Sequence, residues 1–169
     1  RVLLKSYKPE NIGIYGCSAG GLLTAQTTAW LQHEALPRPG AVAMLCAAAF
    51  YWTDGDAAHI SKAISGYAYQ GSESNTYFEN VSHDDLLAFP GKSNNIMANF
   101  PPSLLVAGNR DFALSSVIHT HSQLVKLDVE AKLHVWEGLE HAFHLYPNIP
   151  ESHEVYDVTV KFFDKYLGD

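Results

Sequence analysis

The chain has 169 residues, room for one domain with a sizeable core and too few to demand two. Apolar residues make up 47% and charged residues 17%, which excludes intrinsic disorder, and the formal net charge of −7 argues against nucleic acid or an anionic membrane as partner. No apolar run approaches the roughly 20 residues that span a bilayer, and the longest, Ala41 to Tyr51, is short enough to be a buried strand.

Taken in chain order, Arg1 to Tyr7 reads as the tail of a helix leading into a first strand, Ile12–Tyr15. Leu22, Ala25, Ala29 and Trp30 then recur at helical spacing. A second strand is expected over Val42–Phe50, a third over Ser103–Ala107 and a fourth over Ala131–Trp136. All four runs are close to continuously apolar, the pattern of strands covered by helices on both faces. Val117, His121, Leu124 and Val125 mark the helix after the third strand. Val155, Val158, Phe162 and Tyr166 mark the last one, which Pro150 and Glu151 are placed to start. This alternation predicts an α/β fold with a parallel sheet covered on both faces, one domain over 1–169. The exception is 53–100, long, irregular and rich in Gly, Ser, Asn and aromatics (Tyr67, Tyr69, Tyr77, Phe78 and Phe89). A stretch of that length in a compact domain is expected to be a lid or pocket insertion.

Gly16-Cys17-Ser18-Ala19-Gly20 matches G-x-S-x-G between the first strand and the first helix. A serine on so sharp a turn is held out from the sheet with its hydroxyl exposed. Glycine at 16 and at 20 is expected to remove Cβ atoms that would collide, and Gly21 to let the helix pack closer. The N–H of Ala19 begins the helix and points where an oxyanion would form. A serine hydroxyl needs a base. Of the nine histidines, His141 follows the last strand on a loop at the carboxyl edge of the sheet, where open α/β sheets build their sites. His144, three residues on, is its rival, with packing against a helix as its other role. Asp111 follows the third strand through Gly108-Asn109-Arg110 and is the expected acid, against a helix cap or a pair with Arg110. Asp54 is the alternative acid, just after the second strand. There is no H-E-x-x-H and no cysteine cluster, so neither a metal nor a cofactor is expected. Cys17 and Cys46 can form at most one bridge, and the expectation is two buried free thiols in a reducing, cytoplasmic setting.

With those residues identified, the chain resembles the hormone-sensitive-lipase-like group of α/β-hydrolases, the fold-3 esterases and lipases. Gly16-Cys17-Ser18-Ala19-Gly20-Gly21 is similar to the group's G-D-S-A-G-G elbow, with Cys17 in place of the usual acidic residue. Phe100-Pro101-Pro102 and the following strand, ending in Gly108-Asn109-Arg110-Asp111, resemble the segment that delivers the acid. Glu137-Gly138 with His141-Ala142-Phe143 resembles the segment that bears the histidine. The resemblance implies a serine carboxylesterase acting on small-molecule esters of short to medium chain through an acyl-enzyme, with Ser18, Asp111 and His141 as triad. A prolyl-oligopeptidase-type peptidase and a non-catalytic binding module on the same fold are the alternatives. The group's H-G-G-G-type loop, source of the other oxyanion donors, is not in this sequence. What is present therefore reads as the C-terminal part of the domain, with a bare edge on the first strand, completed by an upstream segment or a second chain.

Overall fold

The sheet is parallel because each strand is followed by a helical connection long enough to return the chain to the same end. In the computed structural model, which describes residues 2–65 and 76–168, four strands pair in the order of the sequence. They are β1 (Gly13–Cys17), β2 (Ala41–Leu45), β3 (Ser103–Gly108) and β4 (Ala131–Trp136). Register follows Gly13 opposite Ala41, Val42 opposite Ser103, and Ser103 opposite Ala131. The helices are α1 (Ala19–His33), α2 (Ala57–Ser65), α3 (Asn94–Met97), α4 (Leu114–Lys126) and α5 (Pro150–Tyr166), the last with proline in its first turn.

Alternation along the two central strands builds two cores. Val42, Met44, Leu105 and Ala107 face α1 and α4, packing with Ala25, Val117 and Leu124. Ala41, Ala43, Leu45, Leu104 and Val106 face the other way, against Phe143, Val155 and Phe162. Every residue of β2 and β3 is buried, which is why these runs are apolar at every position. The outer strands are half-covered. Among the described residues β1 pairs only with β2, and Tyr15 is 66% exposed. No described helix is long and apolar enough to cross a membrane.

The expected boundaries need four corrections. The second strand ends at Leu45 rather than Phe50, because Cys46 takes a left-handed φ of 58° and turns the chain out of the ladder. Ala47, Ala48 and Ala49 are apolar because they are buried beyond the sheet, where Thr120 Oγ1 accepts the Ala49 N–H. The first residues form a 3₁₀ turn, Leu3–Lys5, with no buried residue, not the end of a packed helix. The first strand is Gly13–Cys17, running into the elbow itself. The segment 53–100 is less irregular than its composition implies. It contains α2 and α3, and it buries Phe89, Met97 and Phe100. Tyr67 and Tyr69 lie outside the described residues. On the helices, Trp30 and Val125 face outward at 46% and 51% exposure, leaving Leu22, Ala25 and Ala29, and Val117 and Leu124, as the packed faces.

Candidate active site

Parallel strands put all their carboxyl ends at one edge, so the residues just after β1, β2, β3 and β4 converge. Ser18 follows β1 directly, with φ 56° and ψ −122°, a conformation a non-glycine residue holds only when its surroundings enforce it. The enforcement is visible. Ser18 N–H donates to Leu45 C=O at 2.8 Å, and Ser18 C=O accepts the N–H of Gly21 at 2.9 Å and of Leu22 at 3.2 Å. A Cβ on Gly16 would overlap the backbone of Gly20, so only glycine fits there. A Cβ on Gly20 would meet nothing within 4 Å, so the expected collision at that position is absent. Gly21 lies against the carbonyls of Leu45 and Ala47, which sets α1 close to the sheet.

Asp111 is reached through the turn after β3 and is 1% exposed. Its Oδ1 accepts the N–H of Ala113 at 2.8 Å, at the entrance to α4, and also faces His141 Nδ1 at 2.8 Å. The capping role and the acid role thus fall on one oxygen. Asp111 Oδ2 is buried with no hydrogen-bond partner among the described residues. His141 Nε2 lies 2.7 Å from Ser18 Oγ. With Nδ1–H donating to Asp111, Nε2 is left to accept the Ser18 hydroxyl proton. Gly108 lets the two loops meet, because a Cβ there would strike the Leu139 carbonyl. Asn109 fastens the same junction through the Glu137 carboxylate and by accepting Gly138 N–H at 2.7 Å. Phe112 packs on the His141 ring with centroids 4.3 Å apart.

Asp54, the alternative acid, sits in a turn closed by its N–H to Tyr51 C=O, and His141 Nδ1 faces Asp111 instead. His144 is buried in a 3₁₀ turn, Phe143–Leu145, edge-on to Phe143 and to Tyr156 of α5. Ala19 is the first residue of α1, so its N–H has no partner within the helix. Ala19 lines, with Ser18 and His141, a cavity of about 530 Å³. Leu22, Leu23 and Gln26 of α1, Cys46, Ala47, Trp52 and Phe112 complete it, with Tyr77 and Phe78 from the 53–100 segment.

Sequence spacing gave no sign of the role of Cys46. Its Sγ accepts the N–H of Ala142, the residue after His141, at 3.3 Å, and it is hydrogen-bonded to the thiol of Cys17. That bond holds Cys17 at a pKa of about 5, against burial and with help from His144 and His141. The same bond, together with burial and the Asp111 charge, pushes Cys46 far up. Among the described residues two donor groups lie within 4.8 Å, Cys17–Cys46–His144 and Cys46–Asp111–His141. The second consists of atoms already engaged around the hydrogen-bonded chain. The first unites positions too far apart in sequence to read as a ligand motif.

A family model described as alpha/beta hydrolase fold matches residues 3–145. The chain belongs to this family. Among solved hydrolases of this fold, esterase E25 superimposes with a TM-score of 0.88 at 27% identity, covering 99% of this chain and 52% of that one. An esterase from the bacterial hormone-sensitive lipase family gives 0.86 at 22%, covering 99% and 57%. Carboxyl esterase 2 from the mycorrhizal fungus Tuber melanosporum gives 0.82 at 19%, again covering 99% and 57%. At the two lower identities the likeness is one of fold. The chain spans little more than half the length of the solved structures it matches. No curated protein sequence matches it.

Proposed function

We propose that this chain carries the reacting residues of a serine carboxylesterase. The observation that supports the reading is an unbroken hydrogen-bonded line, Ser18 Oγ to His141 Nε2 at 2.7 Å and His141 Nδ1 to Asp111 at 2.8 Å, opening into an apolar cavity. Ser18 attacks the ester carbonyl while His141 takes its proton, and the buried Asp111 carboxylate holds the imidazole and balances the imidazolium. The Ala19 N–H donates to the oxyanion. His141 Nε2–H then protonates the departing alcohol, and water, deprotonated by the same nitrogen, releases the acid from Ser18. No cofactor enters the cycle. The tetrahedral intermediate needs more than one aimed donor, and the resemblance assigns the others to an H-G-G-G-type loop on an upstream segment or a second chain. Aromatic and aliphatic walls suit short or medium acyl groups, and Tyr77 and Phe78 would make 53–100 part of the pocket.

The test is Ser18→Ala in protein that hydrolyses a short-chain aryl ester, with fluorophosphonate labelling of the parent chain. Labelling should map to Ser18, and the variant should lose all but the residual rate due to binding and oxyanion contacts. Retention of more than about a tenth of the parent kcat would overturn the assignment.

A further inference from the structure

Two thiols meet beneath the elbow, and the mechanism above uses neither. Cys17 ends β1, opposite Leu45 in the register, and Cys46 is the next residue after Leu45. Their sulfurs lie within 4.8 Å of each other, on residues that the register sets one step apart on neighbouring strands. Both cysteines are free, and their side chains are in hydrogen-bond contact. Cys17 is half-buried, and Cys46, itself buried, lines the cavity that opens beside Ser18. His144 brings a donor atom within 4.8 Å of both, and its buried Nδ1 has no hydrogen-bond partner among the described residues. This is the arrangement of an attacking thiolate beside a resolving thiol.

We propose that Cys17 and Cys46 are an oxidative modification site, a dithiol that a hydroperoxide closes to a disulfide directly under the nucleophile. The Cys17 thiolate attacks the peroxide oxygen, the O–O bond breaks, and the leaving oxygen takes a proton and departs as alcohol or water. Cys17 is then a sulfenic acid. Cys46 gives up its proton as its sulfur attacks that of Cys17, the S–O bond breaks, and hydroxide leaves as water. Two thiols lose two electrons and one peroxide gains them. The hydrogen-bonded sulfurs must close to about 2.05 Å, which draws Cys46 Sγ from the Ala142 N–H and unfastens the residue next to His141. Through Leu45 C=O, which holds the Ser18 N–H, the same closure bears on the nucleophile. This effect on catalysis rests on the esterase reading. The disulfide itself does not.

The experiment treats the chain with hydrogen peroxide in chelator-containing buffer, followed by thiol counting, intact mass and non-reducing peptide mapping. Both thiols should disappear together, with a mass loss of two hydrogens and a Cys17–Cys46 linked peptide that dithiothreitol reverses. Persistent thiols, or Cys17 passing to sulfinic acid with Cys46 still free, would overturn the proposal. In Cys46→Ala the Cys17 sulfenic acid should be trapped by dimedone, and no trapping would count equally against it. Should that variant fail to fold, the parent chain still decides by its linked peptide. Alkylation of Cys17 should change little from pH 6 to 8, where an ordinary thiol accelerates roughly 80-fold. An ordinary profile would refute Cys17 as the attacking sulfur, and the linked peptide then decides the site. Phosphonate labelling of Ser18, followed before and after oxidation, should slow at least tenfold and recover on reduction. A linked peptide with unchanged labelling would refute the coupling to Ser18. Absent Ser18 labelling in reduced protein that hydrolyses the aryl ester would refute the esterase reading and leave the dithiol standing.

Discussion

Gly16→Ala should disable the elbow, whereas Gly20→Ala, in the same motif, should leave it working. An alanine Cβ at 16 would lie 2.8 Å from Gly20 Cα, with the Gly20 carbonyl carbon and oxygen closer still. These are backbone atoms, so no rotamer change relieves the overlap. Carbon atoms rest about 3.5–4.0 Å apart, and the first turn of α1 must retreat by about 1 Å. That turn is pinned by the Ser18 carbonyl to Gly21 and Leu22, and by the Thr24 hydroxyl donating to Gly20 C=O at 2.8 Å. Ser18 is part of the same unit, so the retreat carries Oγ from 2.7 Å to beyond hydrogen-bond reach of His141. A misplacement of about 1 Å costs on the order of 10²-fold in rate. Overpacking should add a stability loss near the upper end of about 1–3 kcal/mol. At Gly20 the added Cβ meets nothing, and alanine in a helix should stabilise by up to about 1 kcal/mol. Thermal unfolding and the second-order rate of Ser18 phosphonylation, measured on both variants and the parent chain, give both quantities. Equal losses in the two variants, or a Gly16→Ala rate above about a third of the parent, would refute the collision argument.

Asp111→Asn should lower ester turnover by on the order of 10³–10⁴, since it removes the buried charge facing the imidazolium, while Asp54→Asn should stay close to the parent in the same kcat assay. A large loss at Asp54 alone would place the acid after β2. Phe78→Ala should widen the cavity and shift kcat/KM toward longer acyl chains by about tenfold or more per added methylene accommodated. An aryl-ester series from acetyl to octanoyl checks this, and an unchanged chain-length profile would exclude Phe78 from the acyl-binding wall.

The elbow was legible because its geometry is local. A glycine-flanked serine between a β run and a helical run constrains its own backbone, and Ser18 carries that strain in the structure. Asp111 and His141 could be placed at one edge because a parallel sheet sends every strand end to the same side. Their places in the loops directly after β3 and β4 favoured them over Asp54 and His144, since chain order is the same for every combination. The surroundings were less legible because they rest on contacts between distant segments. Cys46 continues an apolar run, and nothing in Leu45-Cys46-Ala47 announces a left-handed turn at a residue that is not glycine. Gly20 matches a motif written with glycine, yet the collision that would require it is present only at Gly16. Among the described apolar residues of 53–100, Phe78 lines the cavity while Met97 and Phe100 join the general core. Composition alone does not separate those roles.

Gln26 lies two turns beyond Ser18 on α1, where it accepts from the Tyr77 hydroxyl at 2.9 Å and donates to Ala88 C=O at 2.9 Å. One amide therefore hangs both ends of the aromatic wall, around Tyr77 and Ala88, on the helix that the nucleophile begins. Swinging the wall outward at either end therefore breaks a hydrogen bond to α1. Its opening is tied to loosening of that helix, and backbone amides along 77–89 should exchange with solvent in step with those around Gln26 rather than at a loop's own faster rate.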